Sequence, residues 1–255
     1  MHPPIARLAS TATALARLSL CCAVATPIAC TATDDAGPKE AEDPHPAPAT
    51  PATPAAPSAD VVRKAGDIVI EPATFTISAT EKLEYELGTL YVPENRSDPK
   101  CRVISIGFAR IKALKPTDAP PTFHLPGGPG GSYLPMLQRN PASFLRYRAC
   151  GDVVVIDQRG FSQRGEVLKF HANTPDDPLD QPANLERECA DFVKLSQAAV
   201  ADCTKKGIDL RGYTVKECVE DLNDLRKALG YKQVTLVGVS FGSQWSFATM
   251  KLHPE

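Results

Sequence analysis

The sequence lacks an excess of charge of one sign. Its 28 lysine and arginine residues are balanced by 30 aspartate and glutamate residues, so the formal net charge is −2 over 255 residues. A nucleic-acid-binding protein normally carries a basic excess, and this balance gives no indication of such a partner. With 43% hydrophobic and 23% charged residues, the composition is typical of a globular protein and excludes collagen and coiled coils.

The N-terminal region lacks an apolar run long enough to cross a bilayer. Its apolar stretch, Leu18–Ala29, has twelve residues, whereas a transmembrane helix needs about 20. Residues 1–30 contain two arginines and no acidic residue, which is typical of an export signal. Two ways of processing this signal stay open. Ala23–Ala25 offers an A-x-A cleavage site, and Ile28–Cys30 resembles the end of a bacterial lipoprotein box. In the second case a lipid on Cys30 would tether a periplasmic or cell-surface protein to a membrane; in the first the protein would be periplasmic or extracellular.

The next segment lacks large aliphatic side chains. Between Ala36 and Asp60 there are seven prolines and eight alanines, and no aliphatic residue is larger than alanine. Such a segment has no apolar surface to offset the entropy cost of ordering it, so we expect a semi-extended spacer. The sequence therefore predicts an export signal over 1–30, a linker over 31–62 and a folded domain over 63–255.

The folded region also lacks a C-x-x-C pair, which argues against a zinc site or a thioredoxin-type motif. Disulfides would suit an exported protein, but its cysteines are odd in number, so at least one has no partner in this chain. A helix would separate Cys189 from Cys203 by about 21 Å, well beyond the roughly 7 Å that a disulfide allows between Cα atoms. The cysteines of this region are Cys101, Cys150, Cys189, Cys203 and Cys218.

Several segments have the patterns of β-strands. Asp67–Ser78 and Leu83–Val92 alternate apolar and polar residues, as half-buried antiparallel strands do. Val103–Ile111 is predicted as a third strand. The continuous apolar run Val153–Ile156 is typical of a central parallel strand that is buried on both faces.

Two helices and a strand are predicted after this run. Leu185–Lys206 has apolar residues at helical spacing. Thr214–Leu229 begins with a T-x-x-E capping box formed by Thr214 and Glu217, and Val234–Val237 then forms a strand. Strand, helices and strand make a parallel crossover, so the sequence predicts an α/β fold with a mostly parallel, doubly wound sheet.

The pentapeptide Gly238–Gly242 has the sequence G-V-S-F-G. It lies between the predicted strand and a helical stretch, Ser243–Leu252. A G-x-S-x-G sequence at such a transition forms a sharp turn that exposes the serine hydroxyl above a sheet. Ser240 is therefore the predicted catalytic nucleophile.

A second glycine-rich segment, His124–Ser132, reads H-L-P-G-G-P-G-G-S. The backbone N–H groups of such a loop can approach a ligand closely. Combined with the later serine turn, the loop predicts an oxyanion hole. Phe241 would supply one N–H at the start of a helix, where the helix dipole favours negative charge. Gly127 or Gly128 would supply the other, and Gly128 is favoured.

The segment Asp157–Gly160 reads D-Q-R-G and follows the predicted buried strand. The motifs GGPGGS, DQRG and GVSFGS, with residues between Tyr213 and Tyr231 and the final H-P-E, resemble the α/β-hydrolase aminopeptidases of the prolyl iminopeptidase and secreted tripeptidyl aminopeptidase type. The resemblance covers residues 83–255. It implies an α/β-hydrolase fold and a serine exopeptidase that releases residues from peptide N-termini through an acyl-enzyme on Ser240.

Other residues of these motifs are assigned no catalytic role. Pro126 stands where prolyl iminopeptidases have histidine, so His124 does not correspond to that histidine. Asp157 and Arg159 are interpreted as structural residues that hold loops around the site.

A serine nucleophile also needs a histidine base oriented by a carboxylate, and in α/β hydrolases both follow the serine in the chain. The 15 residues after Ser240 include His253 but no aspartate, and a helix would hold His253 about 20 Å away. The sequence is therefore interpreted as an N-terminal fragment. Alone, it is expected to be inactive, and poorly soluble because the strand Val234–Val237 would leave an apolar edge unpaired.

Two other functions stay open. An esterase or another acyl hydrolase could have the same fold and serine turn, because these do not determine the leaving group. The chain could also be a truncated, non-catalytic module tethered to a surface. The predicted partner is a peptide substrate. No metal, organic cofactor or nucleic acid is implied, and the oligomeric state is open.

Overall fold

The structure is a computed structural model that describes residues 62–77, 80–169, 182 and 184–255. The predicted export signal over residues 1–30 and nearly all of the linker over 31–62 lie outside the described residues. No helix in the described ranges combines the length and the apolar character that spanning a membrane requires.

Six strands of the described residues form one sheet. They are β1 (Ile68–Thr76), β2 (Lys82–Pro93), β3 (Val103–Ile111), β4 (Thr122–Leu125), β5 (Val153–Ile156) and β6 (Thr235–Gly238). Their order in the sheet is β1-β2-β3-β5-β4-β6. Strands β1, β2, β3 and β5 pair antiparallel in succession, whereas β4 pairs in parallel with both β5 and β6.

Five α-helices of the described residues accompany the sheet. They are α1 (Leu134–Arg139), α2 (Ala142–Leu145), α3 (Leu185–Lys205), α4 (Val215–Ala228) and α5 (Phe241–Leu252). Short 3₁₀ turns lie at Arg146–Ala149 and Leu210–Gly212. The predicted helices are confirmed to within two residues at each end, and the α/β fold class is confirmed with them. The sheet of the described residues is mixed, with two parallel and three antiparallel strand pairs, where the sequence predicted a mostly parallel sheet.

Strand β5 is buried on both faces, as its continuous apolar run predicts. Val154 and Ile156 pack in a core that includes side chains of α4 and α5, while Val153 and Val155 pack in a second core with side chains of α1 and α2. Successive side chains of a strand point to opposite faces. One short strand therefore contributes to the cores on both sides of the sheet.

Helix α4 begins at the predicted cap, but only half of the capping box forms. The Thr214 hydroxyl oxygen accepts a hydrogen bond from the N–H of Glu217 at 3.3 Å. The Glu217 carboxylate instead accepts hydrogen bonds from the backbone N–H and guanidinium of Arg96. A tertiary partner thus replaces the local bond that the sequence pattern predicts.

Helix α3 exposes most of the apolar residues that identify it in the sequence. Leu185 and Phe192 are 72% and 70% exposed, and Val193 and Val200 are exposed as well. Cys203 is the one described residue of this helix that is buried. Helical spacing therefore predicted the helix correctly without indicating what it packs against.

No disulfide joins the five cysteines of the folded region, all of which are described. Cys203 and Cys218 are buried, and Cys150 and Cys189 are exposed. Burial raises the pKa of the Cys218 thiol to about 12. That thiol is therefore protonated at neutral pH.

Strand β6 lies at one edge of the sheet that the described strands form. Apolar side chains near this edge are exposed, among them Val239, Phe247 and Met250. The unpaired apolar edge expected from the sequence is present in the described part of the chain.

Candidate active site

Ser240 lies in the sharp turn between β6 and α5. Its backbone dihedral angles are φ 53° and ψ −118°, and it is the only non-glycine residue with positive φ within the described ranges. A conformation of this kind costs about 1–3 kcal/mol and persists only where the surrounding structure imposes it. The residue is exposed. The turn therefore presents to solvent the hydroxyl that the sequence predicts to be the nucleophile.

Two glycines allow the strand and the helix to approach each other at this turn. A Cβ atom on Gly238 would overlap with the backbone of Gly242, and a Cβ atom on Gly242 would overlap with the carbonyl oxygen of Leu125. These neighbours are backbone atoms, which cannot move aside as the end of a side chain can. The spacing of the glycines around Ser240 is therefore a steric requirement of the turn.

The glycine-rich loop lies beside the serine turn because the two segments follow adjacent parallel strands. Leu125 at the end of β4 pairs with Gly238 at the end of β6, so both segments leave the same edge of the sheet. A Cβ atom on Gly127 would lie 3.3 Å from Ser240 Cβ and 3.9 Å from Ser240 Oγ. The structure thus brings the predicted nucleophile and the diglycine segment together.

Three backbone N–H groups are candidate oxyanion donors. Phe241 is the first residue of α5, where N–H groups have no partner within the helix and the helix dipole favours negative charge. The N–H groups of Phe241, Gly127 and Gly128 donate to no acceptor among the described residues. Gly128 has φ 112°, and a Cβ atom there would lie 2.7 Å from Gly130 N. Glycine is therefore required at this position of the loop.

Asp157 is buried and holds the far end of the glycine-rich loop. One carboxylate oxygen accepts hydrogen bonds from the Ser132 hydroxyl at 2.7 Å and the Tyr133 N–H at 3.2 Å. The other accepts a hydrogen bond from the Ser162 hydroxyl at 3.1 Å. Burial raises the pKa of Asp157 to about 6, although these hydrogen bonds lower it. All of these contacts are to neighbouring loops, as expected for a structural residue.

Gln158 bonds to the same loop with both ends of its amide group. Its Nε2 donates to the carbonyl oxygens of Gly127 at 3.0 Å and Pro126 at 3.4 Å. Its Oε1 accepts a hydrogen bond from the N–H of Gly130 at 2.9 Å. The sequence did not indicate a role for this residue. The only signal was its place in the D-Q-R-G motif, directly after a buried strand.

Arg159 is buried in an ionic network. Its Nε and Nη2 donate to the two carboxylate oxygens of Asp221 at 2.7 and 2.6 Å. Its Nη1 donates to the carbonyl oxygens of Glu94 and Gly212 at 2.6 Å each. Arg96 donates to the same Asp221 carboxylate at 2.9 Å. The network joins the segment after β2, the loop after β5 and helix α4.

The described residues do not provide a general base for Ser240. Its Oγ makes no hydrogen bond to another described residue. His253 contacts Glu220 at 3.1 Å, and the length of α5 places it about 20 Å from the serine. His124 is buried against Phe144 and Tyr147, and His171 lies outside the described residues. No group of three or more His, Cys, Asp or Glu side chains in the described part is placed to hold a metal ion.

The arrangement of strands around the serine identifies the fold. The parallel strands of the mixed sheet end at one edge. At this edge the serine lies on a strand-to-helix turn beside a glycine-rich loop. This is the α/β-hydrolase fold. No protein-family model and no curated protein matches the chain.

Several solved α/β hydrolases are similar to this chain. Juvenile hormone epoxide hydrolase from the silkworm Bombyx mori has 15% identity and a TM-score of 0.37, over 67% of this chain and 33% of that one. An Aspergillus niger epoxide hydrolase has 17% identity and a TM-score of 0.31, over 65% and 31%. Acetyl xylan esterase 1 from Thermoanaerobacterium sp. has 18% identity and a TM-score of 0.34, over 74% and 50%. The chain thus spans between 31% and 50% of the length of these proteins.

His124 leads to a prediction about stability and pH. It is 4% exposed, and its Nε2 has no partner among the described residues. Burial, with a smaller effect of Arg146, lowers the pKa of His124 from 6.5 to about 4. Between these values the unfolded chain binds a proton that the folded chain does not bind. The free energy of unfolding should therefore fall by about 3 kcal/mol as the pH falls through this interval.

A His124→Leu variant isolates this effect, because the other titrating groups are common to both proteins. Urea-induced unfolding at pH 7 and pH 4 should show the wild type losing about 3 kcal/mol more than the variant. An equal loss in the two proteins would show that His124 is not responsible.

Proposed function

We propose that the protein is a serine hydrolase in which Ser240 attacks the acyl carbonyl group of its substrate. The observation that carries this proposal is the strained, exposed Ser240 at φ 53°, with its Oγ next to Gly127. Strain of this kind at an exposed serine has no evident stabilising role. Such strain is expected where a nucleophile must be held above the edge of a sheet.

The proposed reaction has two acyl-transfer steps. The Ser240 hydroxyl adds to the carbonyl carbon, its proton passes to a general base, and the carbonyl electrons move onto oxygen. The N–H groups of Phe241 and Gly128 would stabilise this oxyanion. Collapse of the intermediate expels the leaving group with the proton from the base, and water then releases the acyl group by the same steps. No described residue is assigned as the base.

The finer proposal is an exported aminopeptidase that cleaves residues from peptide N-termini. It is supported by the order of the GGPGGS, DQRG and GVSFGS motifs and by their resemblance to serine aminopeptidases. Export is supported by the apolar stretch Leu18–Ala29 and the proline-rich segment after it. Cys30 would carry a lipid if the lipoprotein signal is used.

A labelling and substrate experiment tests both levels of the proposal. The protein, expressed from its complete gene, is treated with a fluorophosphonate probe, and the modified peptide is identified by mass spectrometry. We expect a single adduct on Ser240, because this serine is exposed and lies beside the candidate oxyanion donors in the described part of the chain. An adduct elsewhere, or none, would contradict the serine hydrolase proposal.

Turnover is then compared on matched substrates. Aminoacyl and tripeptidyl naphthylamides with a free N-terminus, the same compounds N-acetylated, and p-nitrophenyl esters are assayed together. An aminopeptidase should prefer the free amines over the acetylated compounds by at least ~100-fold, the order expected for an unpaired buried charge. Efficient cleavage of the esters alone would assign an esterase instead.

A further inference from the structure

We propose that Gln158 is a positioning residue that orients the oxyanion donors of the glycine-rich loop. The inference rests on the proposed function, because an oxyanion forms only if Ser240 attacks a carbonyl group. Gln158 is 3% exposed. Its hydrogen bonds to described residues go to Pro126, Gly127 and Gly130, and none goes to Ser240. Its influence would act entirely through the loop.

The contacts of Gln158 are aimed at the two peptide groups that contain the candidate donors. The carbonyl of Pro126 and the N–H of Gly127 belong to one peptide group, and the carbonyl of Gly127 and the N–H of Gly128 belong to the next. Gln158 Nε2 donates to both carbonyl oxygens, at 3.4 and 3.0 Å. One amide group thus contacts both candidate peptide groups.

The planarity of the peptide group turns these contacts into an orientation of the donors. In a trans peptide the C=O and N–H bonds point in opposite directions and cannot rotate independently. Both peptide bonds are trans, since Gly128–Pro129 is the cis bond in this loop. Because Gln158 binds the carbonyl oxygens, the N–H groups of Gly127 and Gly128 must point away from it. Gly127 also lies against Ser240.

A second set of bonds prevents the loop from rotating around this contact. Gln158 Oε1 accepts a hydrogen bond from the N–H of Gly130 at 2.9 Å, and the N–H of Gly131 donates to the Gly127 carbonyl oxygen at 3.1 Å. A loop containing this many glycines has little intrinsic preference for one conformation. The amide therefore supplies a rigidity that the loop lacks.

The pattern requires one donor and one acceptor in the same planar group. Glutamine provides both. An ionised glutamate would place an acceptor oxygen against the Gly127 carbonyl oxygen, whereas a protonated carboxyl group could donate there and still accept from Gly130 N–H. If Gln158 only filled space, the ionised and protonated forms of a glutamate at this position would not differ in this way.

The experiment compares Gln158→Glu, Gln158→Leu and the wild type, expressed from the complete gene. Gln163→Leu is the matched control, because Gln163 lies in the same loop and is exposed. Rates of fluorophosphonate labelling and kcat and KM on the best substrate are measured from pH 5 to pH 8. Circular dichroism establishes that each variant is folded.

At pH 8 we expect both Gln158 variants to lose about 10- to 100-fold in kcat and labelling rate, with KM changed less than about threefold. Misplacing an oxyanion donor should cost less than the 10²–10³-fold loss that follows its removal. As the pH falls, the rate of Gln158→Glu relative to wild type should recover, because the introduced buried carboxyl becomes protonated. Gln158→Leu should show no recovery, and Gln163→Leu should match the wild type.

The outcomes separate this inference from the proposed function. If the wild type is labelled but Gln158→Glu reacts equally fast at pH 8, Gln158 does not position the donors. A loss in Gln158→Glu that does not recover at low pH would also overturn the inference. If Gln158→Leu does not fold, the pH profile of Gln158→Glu decides alone. A wild type that is not labelled would overturn the proposed function itself.

Discussion

Ser240→Ala is expected to lower kcat by about 10⁴-fold or more and to abolish labelling by a fluorophosphonate probe. Alanine has no oxygen that can attack the carbonyl carbon, so no acyl-enzyme can form, and the loss corresponds to at least about 5 kcal/mol of transition-state stabilisation. The oxyanion donors would remain in place and would leave a small residual rate. Stopped assays with the substrate identified above, at high enzyme concentration, measure this residual turnover.

The stability of this variant is part of the same prediction. Ser240 is exposed and has positive φ, and neither property depends on its hydroxyl. The variant should therefore unfold at nearly the same temperature as the wild type. Ser196→Ala, which changes an exposed serine on α3, is the control and should keep full activity. Turnover by Ser240→Ala at more than a tenth of the wild-type rate would show that this serine is not the nucleophile.

Arg159→Met should lower the free energy of unfolding by about 3–5 kcal/mol, the largest loss of stability among the variants proposed. The Arg159 and Asp221 side chains are each 1% exposed. Methionine fills much of the same volume but removes both hydrogen bonds to Asp221. It also leaves the carbonyl oxygens of Glu94 and Gly212 without this donor. The buried carboxylate would then have only Arg96 as a charged partner.

Chemical denaturation measures this change, and a second arginine provides the control. Arg211 pairs with Asp209, but its side chain is 82% exposed, and exposed ion pairs contribute little to stability. Arg211→Met should therefore leave the denaturation midpoint almost unchanged. Equal midpoint shifts for the two arginine variants would show that burial does not govern the effect.

The double variant Arg159→Met with Asp221→Leu examines the cause of that loss. Removing both charges leaves no uncompensated carboxylate, so the double variant should be more stable than Arg159→Met alone. If it is less stable by the sum of the two single effects, the buried charge is not the source of the instability.

The secondary structure near the site could be predicted because its signals are local. The run Val153–Ile156 identifies a strand buried on both faces, and Thr214 marks the first turn of α4. Gly238 and Gly242 mark the serine turn, since only glycine permits the backbone contacts found there. Each of these signals depends on residues that are close together in the chain.

Predictions that depended on distant partners were incomplete. The apolar residues of α3 indicate a helix, yet Leu185 and Phe192 are exposed. Glu217 has the correct spacing for a capping box, but Arg96, more than a hundred residues earlier, binds its carboxylate. Helical spacing and capping patterns describe one segment at a time. They do not state which distant group competes for the same side chain.

The sequence alone determined the α/β class, the position of the candidate nucleophile and the two segments that could form its oxyanion hole. Only the tertiary structure decided that Gly127 lies against Ser240, because this contact follows from the pairing of β4 with β6. It also decided the bonds of Gln158 to the glycine-rich loop, since a buried amide has a partner only where the fold brings one within reach. Hydrogen-bond geometry between distant segments exists only once the chain has folded, and no local pattern encodes it.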